Sequence, residues 1–152
     1  MFKYNNYDGK YFSKSSCKFL LQYHLIFVCK YRKRLLIGKI KDFMKESIIS
    51  ISKKYDFEIK HLECDEDHIH FLINSTPQIS ISQIVRVLKQ ESTVFIWKHF
   101  NAFLKQHFWK EYTFWTDGYF VSSIGEVSQY ILMHYIENQG KSTNSYHPLE
   151  DE

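Results

Sequence analysis

Two runs of alternating apolar and polar residues lie near the middle of the chain, separated by three acidic residues. The runs are FEIKHLEC (Phe57–Cys64) and HIHFLI (residues 68–73), with Asp65, Glu66 and Asp67 between them. Alternation with a period of two is typical of a half-buried β-strand, and a short polar link is typical of a tight turn. The pattern therefore predicts a β-hairpin that belongs to a sheet with one buried face.

The second strand of this hairpin carries two histidines on one face, because residues i and i+2 of a strand point to the same side. One face holds His68, His70 and Leu72, and the other holds Ile69, Phe71 and Ile73. Burial of the apolar face would leave the two imidazoles together on the opposite face, as two ligands of one metal require. Two structural histidines would give the same pattern, so the pair alone leaves both interpretations open.

Other chemistries that use closely spaced histidines do not match the neighbouring residues. A histidine-triad hydrolase needs a third histidine at the position of Leu72, and a two-histidine phosphoesterase needs a hydroxyl two residues after its histidine. Zinc peptidases of the HExxH type need helical spacing, which a strand does not provide. These three classes are therefore excluded.

The remaining segments predict strands and helices in a recognisable order. Strands are predicted at residues 19–31 and 112–123, and helices at residues 36–51, at residues 81–95 after a cap at Ser80, and at residues 126–139. Residues 1–18 are interpreted as a polar arm, residues 100–112 as an irregular aromatic segment, and the last twelve residues as a loose tail. The order β-α-β-β-α-β-α predicts an α+β fold, a ferredoxin-like or RNA-recognition-like antiparallel sheet with two helices on one face. The opposite face would be free for a site, and a C-terminal helix would follow. A single domain over residues 1–152, with a core at about 18–140, fits the length.

The chain's charge is unevenly distributed, although its net value is only +3. Residues 1–60 carry 14 Lys and Arg against 5 Asp and Glu, whereas residues 61–152 carry 6 against 12. A basic half suggests a polyanionic partner, although a solvated basic face is an equal alternative. The segment KYRKR (residues 30–34) combines cations with a tyrosine, a combination that suits phosphate contact and base stacking.

The cysteines and the hydropathy pattern point to a reducing, aqueous environment. Cys17, Cys29 and Cys64 are odd in number and have no CxxC spacing, so neither a disulfide framework nor a thiolate zinc site is predicted. The N-terminus does not resemble a signal sequence, and no apolar run approaches the roughly 18 residues that span a bilayer. The sequence therefore predicts a cytoplasmic protein without a membrane partner.

The segment HYIENQG near the end of the chain adds two residues with suitable chemistry. Tyr135 and Gln139 are four residues apart, on one face of the predicted C-terminal helix. Tyrosine is a nucleophile, and two imidazoles with one amide oxygen suit a hard divalent ion that also binds phosphate. Each residue has an ordinary alternative, a core aromatic for Tyr135 and a surface helix end for Gln139.

Together these segments resemble the single-tyrosine transposases of the HUH endonuclease superfamily, specifically the IS200-like group of small bacterial insertion sequences. The matching stretches are YHLIFVCKYRKRLLIG, DHIHFLI, VRVLKQES, FWTDGYFVSSIG and YIENQ, in matching order and spacing over roughly residues 18–140. The resemblance assigns the histidine–hydrophobic–histidine motif to His68 and His70, the nucleophile to Tyr135 and the third metal ligand to Gln139. Tyr130 is a rival nucleophile outside the YIENQ match.

The resemblance implies an activity, a cofactor and partners. The enzyme would cut and rejoin single-stranded DNA at hairpin-bearing ends through a 5′-phosphotyrosine, with Mg²⁺ or Mn²⁺ as the cofactor. It would act as a homodimer, in which the tyrosine helix of one subunit can serve the histidines of the other. The predicted DNA contacts are Lys30, Tyr31, Arg32, Lys33 and Arg34, with Lys89 from the second helix as a further candidate.

Three other functions remain as alternatives. A domesticated relative would process repeated hairpins with the same active site, and one sequence does not separate it from a transposase. A non-catalytic nucleic-acid-binding module of RNA-recognition-like fold has no need for the combination of His68, His70, Tyr135 and Gln139. A globular protein with purely structural histidines is the third.

Overall fold

The computed structural model of the chain describes residues 5–7, 11–14, 17–123 and 136–138. Its strands are β1 (Asn5–Tyr7), β2 (Tyr11–Lys14), β3 (Cys17–Phe19), β4 (Leu21–Val28), β5 (Phe57–Cys64), β6 (His68–Ser75) and β7 (Phe120–Ser123), and its long helices are α1 (Gly38–Ser52) and α2 (Ile81–His107). Strands β1, β2 and β3 form a small antiparallel sheet, and a second antiparallel sheet has the order β5-β6-β4-β7. The predicted α+β class is therefore confirmed.

The predicted hairpin is strands β5 and β6, and the acidic turn between them closes with a hydrogen bond from the amide of Asp65 to the carbonyl oxygen of His68, 2.9 Å long. The apolar trio of β6, Ile69, Phe71 and Ile73, is completely buried, as its alternation predicts. A register irregularity lies in β5 between Ile59 and His61, where the strand contains one residue more than its partner.

Both helices pack on the face of the large sheet that carries this apolar trio. Phe27 of β4 meets Phe71 of β6 edge to face, with ring centroids 5.1 Å apart. Met44 and Ile48 of α1 belong to the same buried cluster, as do side chains from the apolar stripe of α2. Each of these large side chains contributes roughly 1.5–3 kcal/mol by its removal from water, so the helices are fixed on this face.

Helix α2 begins where the sequence predicts and ends later. The Ser80 side chain accepts a hydrogen bond from the amide of Gln83, and Gln83 completes a capping box. The predicted irregular segment at residues 100–112 is wrong over its first half, because the helix continues to His107 with a local kink at Phe100. Leu104 is fully buried and holds the additional turns against the core.

Two predicted strands are shorter than their apolar composition suggests. The strand predicted at residues 19–31 ends at Val28, and a 3₁₀ turn at Lys30–Arg32 follows it. The strand predicted at residues 112–123 is regular only in β7, preceded by a single bridge between Trp115 and Cys29. Aromatic and β-branched residues favour strands, but Phe114 and Trp115 fill the core from loop positions instead.

The structure describes more of the N-terminal segment than of the C-terminal segment. The polar arm predicted over residues 1–18 contains the strands β1, β2 and the start of β3, so polar composition concealed a small sheet. Of the predicted C-terminal helix, residues 136–138 are described and are helical. None of the helices in the described part has the length and apolar composition of a bilayer span.

Lys89 of α2 fixes the loop that leads into β7. Its ammonium group donates hydrogen bonds to the carbonyl oxygens of Thr116, Asp117 and Gly118 at 2.7, 3.1 and 2.8 Å. Its Nζ also lies 5.3 Å from the centre of the Phe27 ring. Burial lowers the pKa of Lys89 to about 8, so the side chain is mainly charged at neutral pH, when it holds this loop.

We expect the substitution Lys89→Met to lower the free energy of unfolding by about 2 kcal/mol, because it removes three hydrogen bonds that hold the loop. Urea unfolding would measure the change. Lys98→Met, on the exposed side of the same helix, is the matched control and should stay within about 0.5 kcal/mol of the wild type. Equal stability of the two variants would contradict the role assigned to Lys89.

Candidate active site

His68 and His70 stand side by side in register with the central strand of the large sheet. His68 pairs with Val28 and His70 with Ile26, so all four side chains lie on the face opposite the helices. Ile26 and Val28 are themselves buried. The predicted placement of the two histidines on the face away from the core is confirmed, but this face is partly covered rather than fully free.

Asp67 fixes the ring of His68. The Asp67 Oδ1 atom lies 2.8 Å from His68 Nδ1, and both side chains are only 18% exposed. The carboxylate is an acceptor, so it holds the proton on Nδ1 and leaves Nε2 as the lone-pair nitrogen for a metal ion. Sequence reasoning assigned Asp67 to the turn alone, and its position immediately before a histidine ligand was the signal for this second role.

Arg32 completes this arrangement from the turn after β4. Its Nε atom donates to Asp67 Oδ2 at 3.3 Å. Burial alone would raise the pKa of Asp67, but the hydrogen bonds from His68 and Arg32 lower it below its usual value. The carboxylate therefore stays ionised at neutral pH and keeps its hold on the imidazole.

His70 lies in a more apolar environment with two further histidines near it. Burial lowers the pKa of His70 below its usual value, so at neutral pH the ring is neutral, as a metal ligand must be. The ring centroid of His24, from β4, lies 6.4 Å away. Glu63 of β5 is the direct cross-strand partner of His70 and accepts a hydrogen bond from His61.

His24 is a residue of this face that sequence reasoning missed. Its Nδ1 atom is buried and has no hydrogen-bond partner among the described residues. Only the register between β4 and β6 brings His24 to the histidine pair, and a sequence does not state that register. The alternation of His24 with the buried Ile26 and Val28 was the available signal.

The described residues fit part of a metal site. His68 and His70 offer two imidazoles from one strand face, which is the donor chemistry of a divalent transition-metal or Mg²⁺-like site only when further oxygen ligands join them. Within residues 17–123 and the shorter described segments, no group of three or more His, Cys, Asp or Glu side chains is arranged to hold a metal ion. The predicted third ligand, Gln139, lies outside the described residues, as do Tyr135 and Tyr130.

The chain between Tyr135 and Gln139 in sequence reaches this site. The Arg32 Nη1 atom donates to the carbonyl oxygen of Glu137 at 3.3 Å. Ile136 and Glu137 line a cavity of about 290 Å³ together with Arg32, Asp67 and His68. One arginine thus links the carboxylate that fixes His68 to residues 136–138, which lie in sequence between the predicted nucleophile and the predicted ligand.

Of the predicted DNA contacts in the basic segment, Arg32 and Arg34 line this cavity, and not all of the five are equally available. Arg32 is used as described above, and Arg34 pairs at 3.7 Å with Glu66 on the exposed rim. Tyr31 is 57% exposed and donates its hydroxyl hydrogen to Glu111. Lys89 lies elsewhere and its donors are used inside the fold, so this geometry favours a structural role for it over the predicted phosphate contact.

The chain matches the family described as "Transposase IS200 like" over residues 17–139. It belongs to this family. The chain is also 32% identical over 121 residues to the ISDra2 transposase TnpA of Deinococcus radiodurans, covering 78% of this chain and 84% of that protein. It is 28% identical over 118 residues to the transposase for insertion sequence element IS200 of Salmonella typhimurium, covering 78% and 76%.

Solved structures agree in fold. A crystal structure of a protein from Deinococcus radiodurans assigned as a transposase has a TM-score of 0.77 at 31% identity, covering 84% of this chain and 96% of that chain. A REP-associated tyrosine transposase bound to a REP hairpin has a TM-score of 0.51 at 16% identity, covering 83% and 72%; at this identity the likeness concerns the fold alone. Family membership makes this protein a transposase of the insertion-sequence type, a DNA-cleaving enzyme.

We expect Arg32→Ala to loosen the attachment of residues 136–138 to the site. One hydrogen bond worth about 1 kcal/mol would be lost, so amide hydrogen exchange in that segment should become roughly 5-fold faster. Exchange measured by mass spectrometry would report this directly. Arg34→Ala, which removes the exposed ion pair with Glu66, should leave amide exchange in residues 136–138 unchanged. Equal exchange rates in wild type and Arg32→Ala would contradict the role of Arg32 in holding this segment.

Proposed function

We propose that this transposase cleaves and rejoins single-stranded DNA at the hairpin-bearing ends of its element, with Tyr135 as the nucleophile. The observation that carries the proposal is the histidine pair on β6, with His68 fixed by Asp67 and residues 136–138 beside it. Ile136 and Glu137, which lie in sequence between Tyr135 and Gln139, line the same cavity as His68. Family membership supports the same reaction class.

His68, His70 and Gln139 would hold a divalent ion, Mg²⁺ or Mn²⁺. When bound, such an ion polarises a non-bridging oxygen of the scissile phosphate and offsets the charge that develops there. The protein's own contribution is orientation. Asp67 keeps the His68 ring in the tautomer with a free Nε2, and burial keeps His70 neutral.

Tyr135 would attack the phosphorus of the scissile phosphodiester in line with the leaving oxygen. A bond forms between the phenolic oxygen and phosphorus, the bond from phosphorus to the 3′ oxygen breaks, and that oxygen leaves as a 3′-OH. A free tyrosine hydroxyl has a pKa near 10, so a nearby group must accept the proton of Tyr135. The phosphotyrosine keeps the phosphodiester energy, and a later attack by a 3′-OH rejoins the strand without ATP.

Lys30, Tyr31, Lys33 and Arg34 would contact the DNA beside the cavity. Their cations suit backbone phosphates, so binding should weaken steeply with salt. A protein of the same fold, the REP-associated tyrosine transposase, has been solved with a REP hairpin, which supports hairpin DNA as the partner. A domesticated hairpin-processing enzyme would use the same residues, and a purely DNA-binding module would not need the Asp67–His68 pair. The active form proposed is a homodimer of single-domain chains.

We expect Tyr135→Phe to abolish the covalent protein–DNA product, because the phenolic oxygen is the atom that bonds to phosphorus. Purified protein would be incubated with Mg²⁺ and labelled single-stranded hairpin DNA from the flanks of the element, and resolved on a denaturing gel. Tyr130→Phe is the matched control and should form the adduct at the wild-type level. An adduct in Tyr135→Phe that is missing in Tyr130→Phe would transfer the nucleophile to Tyr130.

We expect Asp67→Asn to weaken Mn²⁺ binding by about 10-fold or more, because the carboxylate that orients His68 is lost. Titration calorimetry with Mn²⁺ would measure the affinity. Glu66→Gln, in the same turn but without contact to the imidazole, should keep the wild-type affinity.

His68→Ala should remove both metal binding and cleavage, while hairpin DNA still binds. Cleavage that persists in His68→Ala would exclude the proposed metal site.

A further inference from the structure

Three aromatic side chains form an exposed surface, and the proposed function uses only one of them, Tyr31. Trp109 is 80% exposed, Tyr112 61% and Tyr31 57%, which makes them the most exposed large apolar side chains in the described part of the chain. We name these three residues the aromatic surface. A tryptophan this exposed lacks most of the favourable free energy that its burial would provide. We therefore expect a binding partner to cover it.

Two turns that pack on each other build the aromatic surface. The first is the turn at Lys30–Arg32, and the second connects α2 to Trp115. The amide of Lys30 donates to the carbonyl oxygen of Phe114 at 2.9 Å, and the amide of Thr116 donates to that of Val28 at 2.8 Å. The hydroxyl of Tyr31 donates to both carboxylate oxygens of Glu111, at 2.8 and 3.0 Å.

The aromatic surface rests on a fixed base. The ring of Tyr112 is stacked on Trp97, with centroids 4.9 Å apart, and Trp97 is buried and donates to the carbonyl oxygen of Thr113. The ring of Tyr31 lies 6.5 Å from Phe108, which is also buried. One face of each tyrosine is therefore packed, while its exposed part is held toward solvent.

Both turns hold non-glycine residues in the left-handed region. Tyr31 has φ 60°, Arg32 has φ 52° and Lys110 has φ 56°. Such residues are retained against a conformational cost of about 1 kcal/mol or more each, because the surrounding structure requires the position. In this protein these residues lie in the turns that hold Tyr31 and Trp109 at the surface.

Cations surround the aromatic surface. The Nζ atom of Lys110 lies 4.7 Å from the centre of the Trp109 ring, and that of Lys33 lies 5.8 Å from Phe108. Trp109 and Tyr112 line an open cavity of about 440 Å³ together with Lys105 and Lys110. The acidic residue of this cavity, Glu111, is the one engaged by the Tyr31 hydroxyl. Open aromatic faces with phosphate-binding cations between them match unpaired nucleic acid, in which bases and phosphates alternate.

We propose that the aromatic surface binds unpaired nucleobases of the DNA strand that extends away from the candidate active site, with Trp109 as the principal stacking residue. The surface begins where the candidate site ends, because Tyr31 adjoins Arg32, which holds Asp67 and the Glu137 carbonyl. Stacking is tolerant of base identity, so this surface would hold the strand without reading its sequence. The inference rests on the proposed function, because it takes the DNA partner from there.

Tryptophan fluorescence offers a direct test, because the chain's other two tryptophans, Trp97 and Trp115, are each only 4% exposed. The wild-type protein, without metal so that no cleavage occurs, would be titrated with oligothymidylate, which forms no hairpin. Binding should quench the emission of the wild type, whereas Trp109→Phe should bind with little quenching. Trp109→Ala, whose binding is followed by the anisotropy of fluorescein-labelled oligothymidylate, should bind about 5- to 150-fold more weakly, the loss typical of one stacked base.

The controls separate stacking from a general loss of structure. Trp109→Phe keeps an aromatic face and should keep most of the affinity, which also covers the case in which Trp109→Ala does not fold. Ile49→Ala removes an exposed apolar side chain from α1 and should leave oligothymidylate affinity unchanged. The salt dependence of binding should be the same in wild type and Trp109→Ala, because no phosphate contact is removed.

Two results would overturn the inference. The first is equal oligothymidylate affinity in wild type, Trp109→Ala and Trp109→Phe. The second is an unchanged affinity together with a shift of Trp109→Ala toward smaller species in sedimentation velocity, which would assign the aromatic surface to contact with a second copy of the chain. The Tyr135 adduct assay, performed in parallel, shows whether the proposed function fails as well, because adduct formation in the wild type does not depend on the outcome at Trp109.

Discussion

The antiparallel pairing of β4 with β6 is the constraint on which the rest of this structure depends. Eight residues of each strand are matched without interruption, from Leu21 opposite Ser75 to Val28 opposite His68. A slip of one residue would exchange the two faces of β6, which would bury His68 and His70 under the helices and expose Ile69, Phe71 and Ile73. Hydrophobic burial of that trio therefore also orients the two imidazoles, so one register fixes both the core and the candidate metal ligands.

The ends of the same two strands supply the groups that support the histidine pair. Beyond Val28 the chain turns at Arg32, and just before His68 it turns at Asp67, so strand pairing brings the guanidinium to the carboxylate. The amide of Cys29 donates to the carbonyl oxygen of Asp67 at 2.8 Å, which ties the two turns together through their backbones. A side chain that orients a ligand is most accurate when its own backbone is held in this way.

Periodicity predicted well the parts of this protein that are dominated by local patterns. The hairpin, the buried trio and the Ser80 cap all follow from residues close together in sequence. The positions of His24 and Arg32 beside the histidine pair depend on which strands pair and in what register, and a local pattern does not determine that pairing. Lys89 shows the limit of reasoning from a resemblance, because the matching VRVLKQES stretch makes it a candidate DNA contact, whereas its ammonium group donates to three carbonyl oxygens inside the fold. The prediction for residues 100–112 was partly wrong for a similar reason. Leu104 is helical because it packs against the core, and the local sequence does not reveal that core.

The cations of this protein have two kinds of role in the fold. This division explains how a protein with a modest net charge could bind a polyanion. Arg32 acts inward on Asp67, and Lys89, from the acidic half, acts inward on a loop, so neither adds fully to the outer field. Lys110 instead lies over the exposed ring of Trp109, and Lys33 lies over the ring of the buried Phe108. A cation held against an aromatic face keeps its charge available to phosphate while the ring remains available to a base. Affinity for unpaired DNA would then depend on a few positioned pairs of cation and ring rather than on total charge. The inward-facing cations could therefore stabilise the fold without weakening the binding of DNA.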